Sequence, residues 1–392
     1  MTDIAAHSET EIVEAVRAAR AWKSPLNIVG ARTKRNLGRA TASWGTVLDL
    51  SALKGIVAYE PDELILTVLP GTPIADIEAL LAEKNQRLGF NPADWSALLG
   101  GKAQSATIGG VIASDACGSA AVRFGRTRDS LLGFRAVNGW GEAYKAGGKV
   151  VKNVTGFDLS KLMCGAFGTL GPLTELTLRV FPKAARSATL AIRDLAPAEG
   201  LALLRRVWSS PLEATGLAYV PDGATGSFPD IADSGRGAAV FRLEGATQPL
   251  QEKAAALRAL LAGKTLSELP DGDDVFTKIG NGIAFAGGET DIWRVCVPPA
   301  DAARCAAEAD AKAWLADWAG GVLWLATGAS QPVDAIVSRP EGTATLMRAS
   351  EERRGGAVFQ PPQEGVLALI RSVKAAFDPL GLFNPGRMYE GI

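Results

Sequence analysis

Apolar residues recur at Ile12, Val16 and Ala19, the spacing of one helix face, directly after a Ser8-x-x-Glu11 pair suited to a capping box. The pattern predicts a helix of about four turns as the first element. Leu26-Asn27-Ile28-Val29 reads as a short strand ending at Gly30, and a polar, glycine-bounded loop runs on to Gly38. Strands are predicted over Val47–Leu50, Ile56–Tyr59 and Leu64–Leu69. Pro70-Gly71-Thr72-Pro73 follows, with Thr72 placed to N-cap and Pro73 suited to the first turn of a helix whose buried stripe is Ile74, Ile77 and Leu81.

From Leu98 to Gly125 the chain is small, glycine-rich and expected to be loop. Strands resume within 133–152, with a turn at Asn138-Gly139, and a helix is expected around Ser160–Cys164. Leu176, Leu178 and Val180 alternate with polar neighbours as a half-buried strand does. After Pro182 the texture changes. Ala-rich amphipathic helices at about 197–208, 249–262 and 299–315 alternate with short strands near 215–220, 238–243, 292–297 and 321–326. That alternation predicts a separate α+β unit, an antiparallel sheet with helices on one face. A helix over Val366–Phe377 and a turn-rich tail close the chain, and no internal repeat stands out.

Composition sharpens this picture in three places. At 392 residues the chain is too long for one compact core, so two domains are expected. Many of its 44 glycines fall between positions 30 and 171, which implies an N-terminal half where backbone approaches a ligand closely. Lys plus Arg (41) balance Asp plus Glu (42), so no field draws in nucleic acid or an anionic membrane. Arg353-Arg354, beside Glu351-Glu352, reads as a solvated turn. No apolar run approaches the length of a membrane span and no signal pattern opens the chain, so a cytoplasmic protein, at most peripheral to a membrane, is expected.

Chemistry narrows further through scarcity. Cys117, Cys164, Cys296 and Cys305 include no CxxC pair, so neither a disulfide framework nor an iron–sulfur cluster is expected within the chain. His7 is the single histidine. With no His/Cys cluster, no metal site is predicted.

Three glycine-rich loops occur in the N-terminal half: GARTKRNLG, ATIGGVIASDACG and GAFGTLG. Lacking Cβ atoms, such loops let amides approach a phosphate. None fits the G-x-G-x-x-G dinucleotide fingerprint or a Walker loop.

Their order resembles the PCMH-type (vanillyl-alcohol-oxidase-type) FAD-binding superfamily from about residue 20 to 182. The resemblance places the FAD pyrophosphate on the loop Gly30, Ala31, Arg32, Thr33, Lys34 and Asn36. Pro70, Gly71 and Thr72 resemble the next landmark of that family. Thr107, Ile108, Gly109 and Gly110 resemble the run that wraps flavin and pyrophosphate, with Gly118 closing it. Arg123, Gly125, Arg128 and Asp129 resemble a Y-G-x-x-x-D motif. NVTGFDLSKLMCGAFGTLGPLTELTL (Asn153–Leu178) resembles N-T-G-Y-D-L…G-S-E-G-T-L-G, and so implicates Gly168, Thr169 and Leu170. FDPLGLFNPGRM (Phe377–Met388), with Asn384, resembles the D-P…N-P-G tail that returns to the flavin domain.

Within the superfamily, GGKVVKNVTGFDLSKLMCGAFGTLG and VRFGRTRDSLLGFRAVNG are similar to the FAD-binding E subunits of bacterial glycolate oxidases (glycolate dehydrogenases). The implied architecture is α+β. It comprises a two-lobed FAD-binding domain at 1–182 (lobes about 1–55 and 56–182), a cap domain at 183–365, and a helix and tail at 366–392. The implied cofactor is FAD, held non-covalently because the Gly30–Gly38 loop has no His or Cys for attachment.

Related 2-hydroxyacid dehydrogenases use a histidine base beside an H-x-G-D-G-N-x-H metal motif, which this sequence lacks. Arg294 and Arg348 are candidate cations for a substrate carboxylate, set against an ordinary structural role. Two readings therefore follow. One is an FAD-carrying, electron-transferring or scaffolding subunit that joins a catalytic D-type flavoprotein and an iron–sulfur subunit in converting glycolate to glyoxylate. The other is a self-sufficient FAD oxidoreductase for a small hydroxy acid or alcohol. A fold that has lost its cofactor is a third, opposed by the intact glycine-rich motifs.

Overall fold

The structure is a computed structural model and describes residues 3–40, 45–102, 105–149, 157–231, 235–270, 272–328 and 342–392. The Asn153–Gly156 start of the long motif, and the end of the 133–152 strand region, lie outside them.

The chain opens with β1 (Asp3–Ala5), β2 (Leu26–Val29) and β3 (Thr46–Asp49), which form a parallel sheet in the order β1-β3-β2. Next come β4 (Ile56–Glu60), β5 (Ile65–Val68), β6 (Gln86–Arg87), β7 (Leu131–Val137), β8 (Ala143–Gly147), β9 (Leu173–Arg179) and β10 (Phe181–Pro182). Five of these make an antiparallel sheet, β4-β5-β9-β7-β8, while β6 pairs with β10. The remaining strands are β11 (Arg186–Ile192), β12 (Gly216–Pro221), β13 (Gly237–Gly245), β14 (Ser267–Glu268), β15 (Asp291–Cys296), β16 (Ala313–Asp317), β17 (Val322–Thr327) and β18 (Thr343–Arg348). They form one antiparallel sheet, β14-β11-β13-β12-β16-β17-β15-β18.

Strand alternation gives this large sheet two apolar faces. Tyr219, Phe241, Trp293 and Leu323 pack beneath the helices Pro197–Trp208, Thr247–Leu260 and Ala302–Glu308, burying Leu204 and Leu257 among others. Val220, Val240, Ile292 and Trp324 face the other way and share a core with Leu98, Ile108 and Leu176 of the N-terminal half. The seam is also stitched by polar contacts. Both guanidinium amines of Arg87 donate to the Glu244 carboxylate, and Trp95 Nε1 donates to Gly280 O at 3.1 Å.

Several elements differ from the sequence reading, each for a physical reason. The first element is β1, not the helix Glu9–Trp22; a three-residue strand has too little pattern to announce itself and exists by pairing with β3. Thr72 does not cap: Pro73 occupies the N-cap position of helix Ile74–Ala82, and Thr72 Oγ1 instead bonds the backbone of Gly55 and Leu69. The expected loop 98–125 contains the helix Ile108–Ser114, whose signal was masked by Gly109-Gly110, poor helix formers. The predicted helix 299–315 is a 3-10 turn and a short helix, Ala302–Glu308, and its last three residues open β16. Alanine carries little period, and β16 is fixed by its neighbours β12 and β17. β9 is buried on both faces because it is the central strand of its sheet. Arg353-Arg354 is no solvated turn: Arg354 is 8% exposed and its Nη1 donates to Gly38 O.

The C-terminal helix, Glu364–Phe377, carries the chain back to its beginning. Leu26 N donates to Leu382 O (2.7 Å) and Asn384 N to Leu26 O (3.0 Å), so the tail extends the first sheet beside β2. Lys374, 7% exposed, donates to Thr169 O (2.6 Å), Asp378 Oδ2 (2.7 Å) and Phe383 O (2.9 Å). The Asp378 carboxylate in turn accepts from the Leu382 and Phe383 amides. Replacing Lys374 by Met leaves a buried carboxylate without its cation, and the expected cost is about 3–5 kcal/mol. A urea-unfolding midpoint unchanged from wild type would refute this account of the tail.

Candidate functional site

Two adjoining clefts lie where β2, the helix Ile108–Ser114 and the Gly165–Gly171 turn meet. Ile28, Val29, Gly30, Thr107, Gly110 and Phe167 border both. One cleft is apolar, adding Leu50, Pro70, Met163 and Leu173. The other is polar, adding Ala31 to Arg35, Ser114, Asn384 and Arg387.

The walls depend on close backbone approach. A Cβ at Gly30 would stand 2.7 Å from Thr107 Oγ1, and one at Gly109 would stand 2.7 Å from Pro70 Cβ. Gly168 has φ +72°, and a Cβ there would stand 2.7 Å from Asn384 Nδ2. Asn384 is the clasp of the wall: Ile28 N donates to its Oδ1 (2.8 Å), and its Nδ2 donates to Phe167 O (2.7 Å). Arg32 holds its left-handed backbone (φ 58°) with its guanidinium bonded to Asp3 (2.8 Å) and Asp49 (3.0 Å). That side chain shapes the loop and is already neutralised.

Buried charge at the polar cleft comes from Lys34 and Arg387, beside the exposed Arg35. Lys34 Nζ is shut off from solvent and has no hydrogen-bond partner among the described residues. Burial pushes this ammonium down to about 8, against a pull from Asp94. Arg387 Nη2 donates to Lys34 O at 2.8 Å; burial, with Arg354 and Arg35 nearby, pushes this guanidinium down to about 10. Two buried cations, one of them repelled by neighbouring arginines, bordered by glycine backbone, are complemented by a ligand carrying phosphate charge. The apolar cleft beside them suits a flat aromatic group. An extended dinucleotide such as FAD meets both requirements.

The other residues singled out from sequence divide clearly. Ala31 and Thr33 line the polar cleft, and Pro70 the apolar one. Asn36 Nδ2 donates to Leu99 O, and Gly71 N to Leu53 O, so both brace loops. Ile108 and Leu170 are core residues. Thr169 supplies the carbonyl that Lys374 binds. Gly118, Arg123, Gly125 and Asp129 line neither cleft: Gly118 lies at the cap seam, Arg123 pairs with Glu213, and Asp129 Oδ2 accepts from Arg126 N beside Gly125. Met163, Phe167 and Arg387 line clefts without having been singled out. Arg387 was visible as the arginine of the FNPGRM tail, but an apolar Met or Phe carries no such mark.

Neither cleft is lined by His or Cys. Cys117 is buried, and its thiol is pushed up to about 12, chiefly by desolvation, far from a reactive thiolate. Arg348 donates to Phe285 O and Thr290 O, a structural role. Among the described residues no group of three or more His, Cys, Asp or Glu is placed to hold a metal, and no helix is long and apolar enough to cross a membrane.

The fold is that of PCMH-type FAD-binding flavoproteins, with the glycine-walled, cation-lined cleft formed by the N-terminal half and the tail. Residues 3–147 match the family described as FAD binding domain. The fold is similar to that of 4-ethylphenol oxidase from Gulosibacter chungangensis (TM-score 0.70, 13% identity, 99% of this chain and 89% of that one). The chain is 32% identical to glycolate oxidase subunit GlcE of Escherichia coli (strain K12) over 379 residues, 96% of each chain, and it belongs to that family. It is also 30% identical to glycolate oxidase subunit GlcD of Bacillus subtilis (strain 168), over 48% of this chain and 38% of that one.

Lys34→Met is expected to weaken FAD binding roughly tenfold, the order of one charge-assisted contact. In wild type, affinity should be flat below pH 8 and fall above it, because the free protein then loses the ammonium that an anion needs. Fluorescence titrations with FAD at pH 6.5 and 9.5 check both points. An equal pH dependence in the variant would exclude Lys34 as the group responsible.

Proposed function

We propose that this chain is the FAD-binding subunit of a multi-subunit glycolate oxidase and that it transfers electrons or scaffolds the assembly without being the main catalytic subunit. The observation that carries the reading is end-to-end similarity to a glycolate oxidase subunit in a chain with one histidine, which is exposed just before the helix Glu9–Trp22, its backbone amide donating to the Glu11 carboxylate. FAD, when bound, supplies two-electron acceptor chemistry. The chain's own residues position it: Lys34 and Arg387 offset phosphate charge, and Gly30, Gly109, Gly110 and Gly168 admit the backbone contact. Thr107 and Asn384 fix the wall between them. With no His or Cys in the clefts, attachment is non-covalent.

The functional units follow the sheets, with FAD binding at 1–182, the cap at 183–365, and a closing helix and tail at 366–392. Oxidation of glycolate needs a base for its hydroxyl proton, and the histidine that related dehydrogenases use has no counterpart in this site. The base is therefore assigned to a D-type flavoprotein partner, with an iron–sulfur subunit carrying electrons onward. A cytoplasmic location, peripheral to the membrane through the complex, agrees with this role.

The test is the visible spectrum of the purified chain, recorded anaerobically before and after glycolate. A flavin band that stays oxidised until the partner subunits are added is the expected result. Bleaching by glycolate alone would establish independent oxidation and end the subunit-only reading.

A further inference from the structure

The cap sheet meets the N-terminal half at a buried trio. Asp317 ends β16, Ser119 follows the second glycine-rich loop, and Phe276 lies in the helix Gly272–Gly280. Asp317 is 2% exposed, and Ser119 and Phe276 are fully shut off from solvent. Ser119 Oγ stands 2.7 Å from Asp317 Oδ2 and 3.1 Å from the Phe276 carbonyl oxygen. The other carboxyl oxygen of Asp317 accepts from the Trp318 amide at 2.8 Å. Trp318 Nε1 in turn donates across the seam to Gly118 O at 3.1 Å.

With Asp317 ionised, the trio is one proton short. A serine hydroxyl carries a single proton, whereas a carboxylate and a carbonyl only accept. Ser119 then serves one neighbour and leaves the other bare. With Asp317 neutral, the acid donates to Ser119 Oγ and Ser119 donates to Phe276 O, so each group has its bond. Leaving a buried acceptor without a donor costs its full desolvation, so the fold favours the neutral acid.

The charges around the trio act in the other sense. On β15, Arg294 lies with its Cζ 5.1 Å from the Trp318 ring centroid and attracts the carboxylate, without a hydrogen bond to it among the described residues. On β13, Arg242 also attracts it, but donates to Thr215 and lies 3.5 Å from Glu244. The loop brings Asp115, neutralised by Arg126, and the protonated Cys117 thiol. In the helix, Asp274 is paired with Lys278. Burial outweighs these pulls and those of the Ser119 and Trp318 donors, and pushes the Asp317 carboxyl up to about 6.

We propose that Asp317 is a proton-operated latch between the cap sheet and the end of the second glycine-rich loop, holding the seam most firmly as the neutral acid and loosening as it ionises. Ser119 lies five residues beyond the helix Ile108–Ser114, which borders both cofactor clefts, so the latch joins the cap to the cofactor wall. The sign follows from the raised carboxyl. The stabilisation is complete below the ordinary value of 3.8 and is lost as pH rises through about 6.

Asp317→Asn mimics the neutral acid, because its amide donates to Ser119 Oγ while its carbonyl still accepts from the Trp318 amide. Urea unfolding of the full FAD-loaded chain compares variant and wild type from pH 4 to pH 8. The variant's unfolding constant is expected within about threefold of wild type at pH 4 and at least about tenfold smaller at pH 8, with the gain levelling off above pH 6. A variant less stable than wild type at pH 8, or a difference that does not change with pH, would overturn the latch. Should the variant fail to fold, infrared spectra of wild type labelled with carbon-13 aspartate decide. A carboxylic-acid band present at pH 5 and gone at pH 8 supports the latch, and its absence at pH 5 overturns it.

Discussion

The buried contact between Lys374 and Asp378 is the constraint on which the rest of the cleft depends. It is short-range in sequence, yet it fixes the tail so that Lys374 reaches Thr169 O and the tail amides reach Asp378. Asn384 is thereby delivered between β2 and the Gly165–Gly171 turn, where its amide satisfies one backbone group on each. A buried ion pair adds little net stability over a well-packed apolar pair. Its value here is placement, because the geometry of Asn384 decides how far apart the two walls of the cleft stand.

The cap sheet plays a complementary part. By presenting apolar residues on both faces it needs helices on one side and the flavin-binding half on the other, so the seam is as much core as interface. Trp95 and Trp324 meet edge to face there, with centroids 6.3 Å apart, and Arg87 grips Glu244. Rigid packing of this kind allows Trp318 and Arg294 to hold fixed positions beside the second glycine-rich loop.

How much of this was legible in the chain follows from where the information lies. The glycines at 30, 109 and 168 announced themselves because close approach excludes a side chain, and Asn384 because it sits in a long motif. The helix Ile108–Ser114 was hidden by the same glycines that make the site, and β16 by alanines that suit helix and strand alike. Arg32 looked like a phosphate ligand until Asp3 and Asp49 were seen to hold it. Gly118, Arg123, Gly125 and Asp129 belong to the same motif stretch as the cleft residues but build the seam and its supporting turns, a difference that only three-dimensional packing decides. Buried and solvated arginines look identical in a sequence, as Arg354 shows.

The pairing of the tail with β2 joins residue 26 to residues 382 and 384. A wall of the cofactor cleft is therefore shared by stretches of chain 356 residues apart. A chain growing on the ribosome can pack its five-stranded sheet and much of its large sheet before Asn384 and Arg387 emerge, so capture of the cofactor waits for them. A product cut short before Asn384 carries most of the fold with an open-sided cleft.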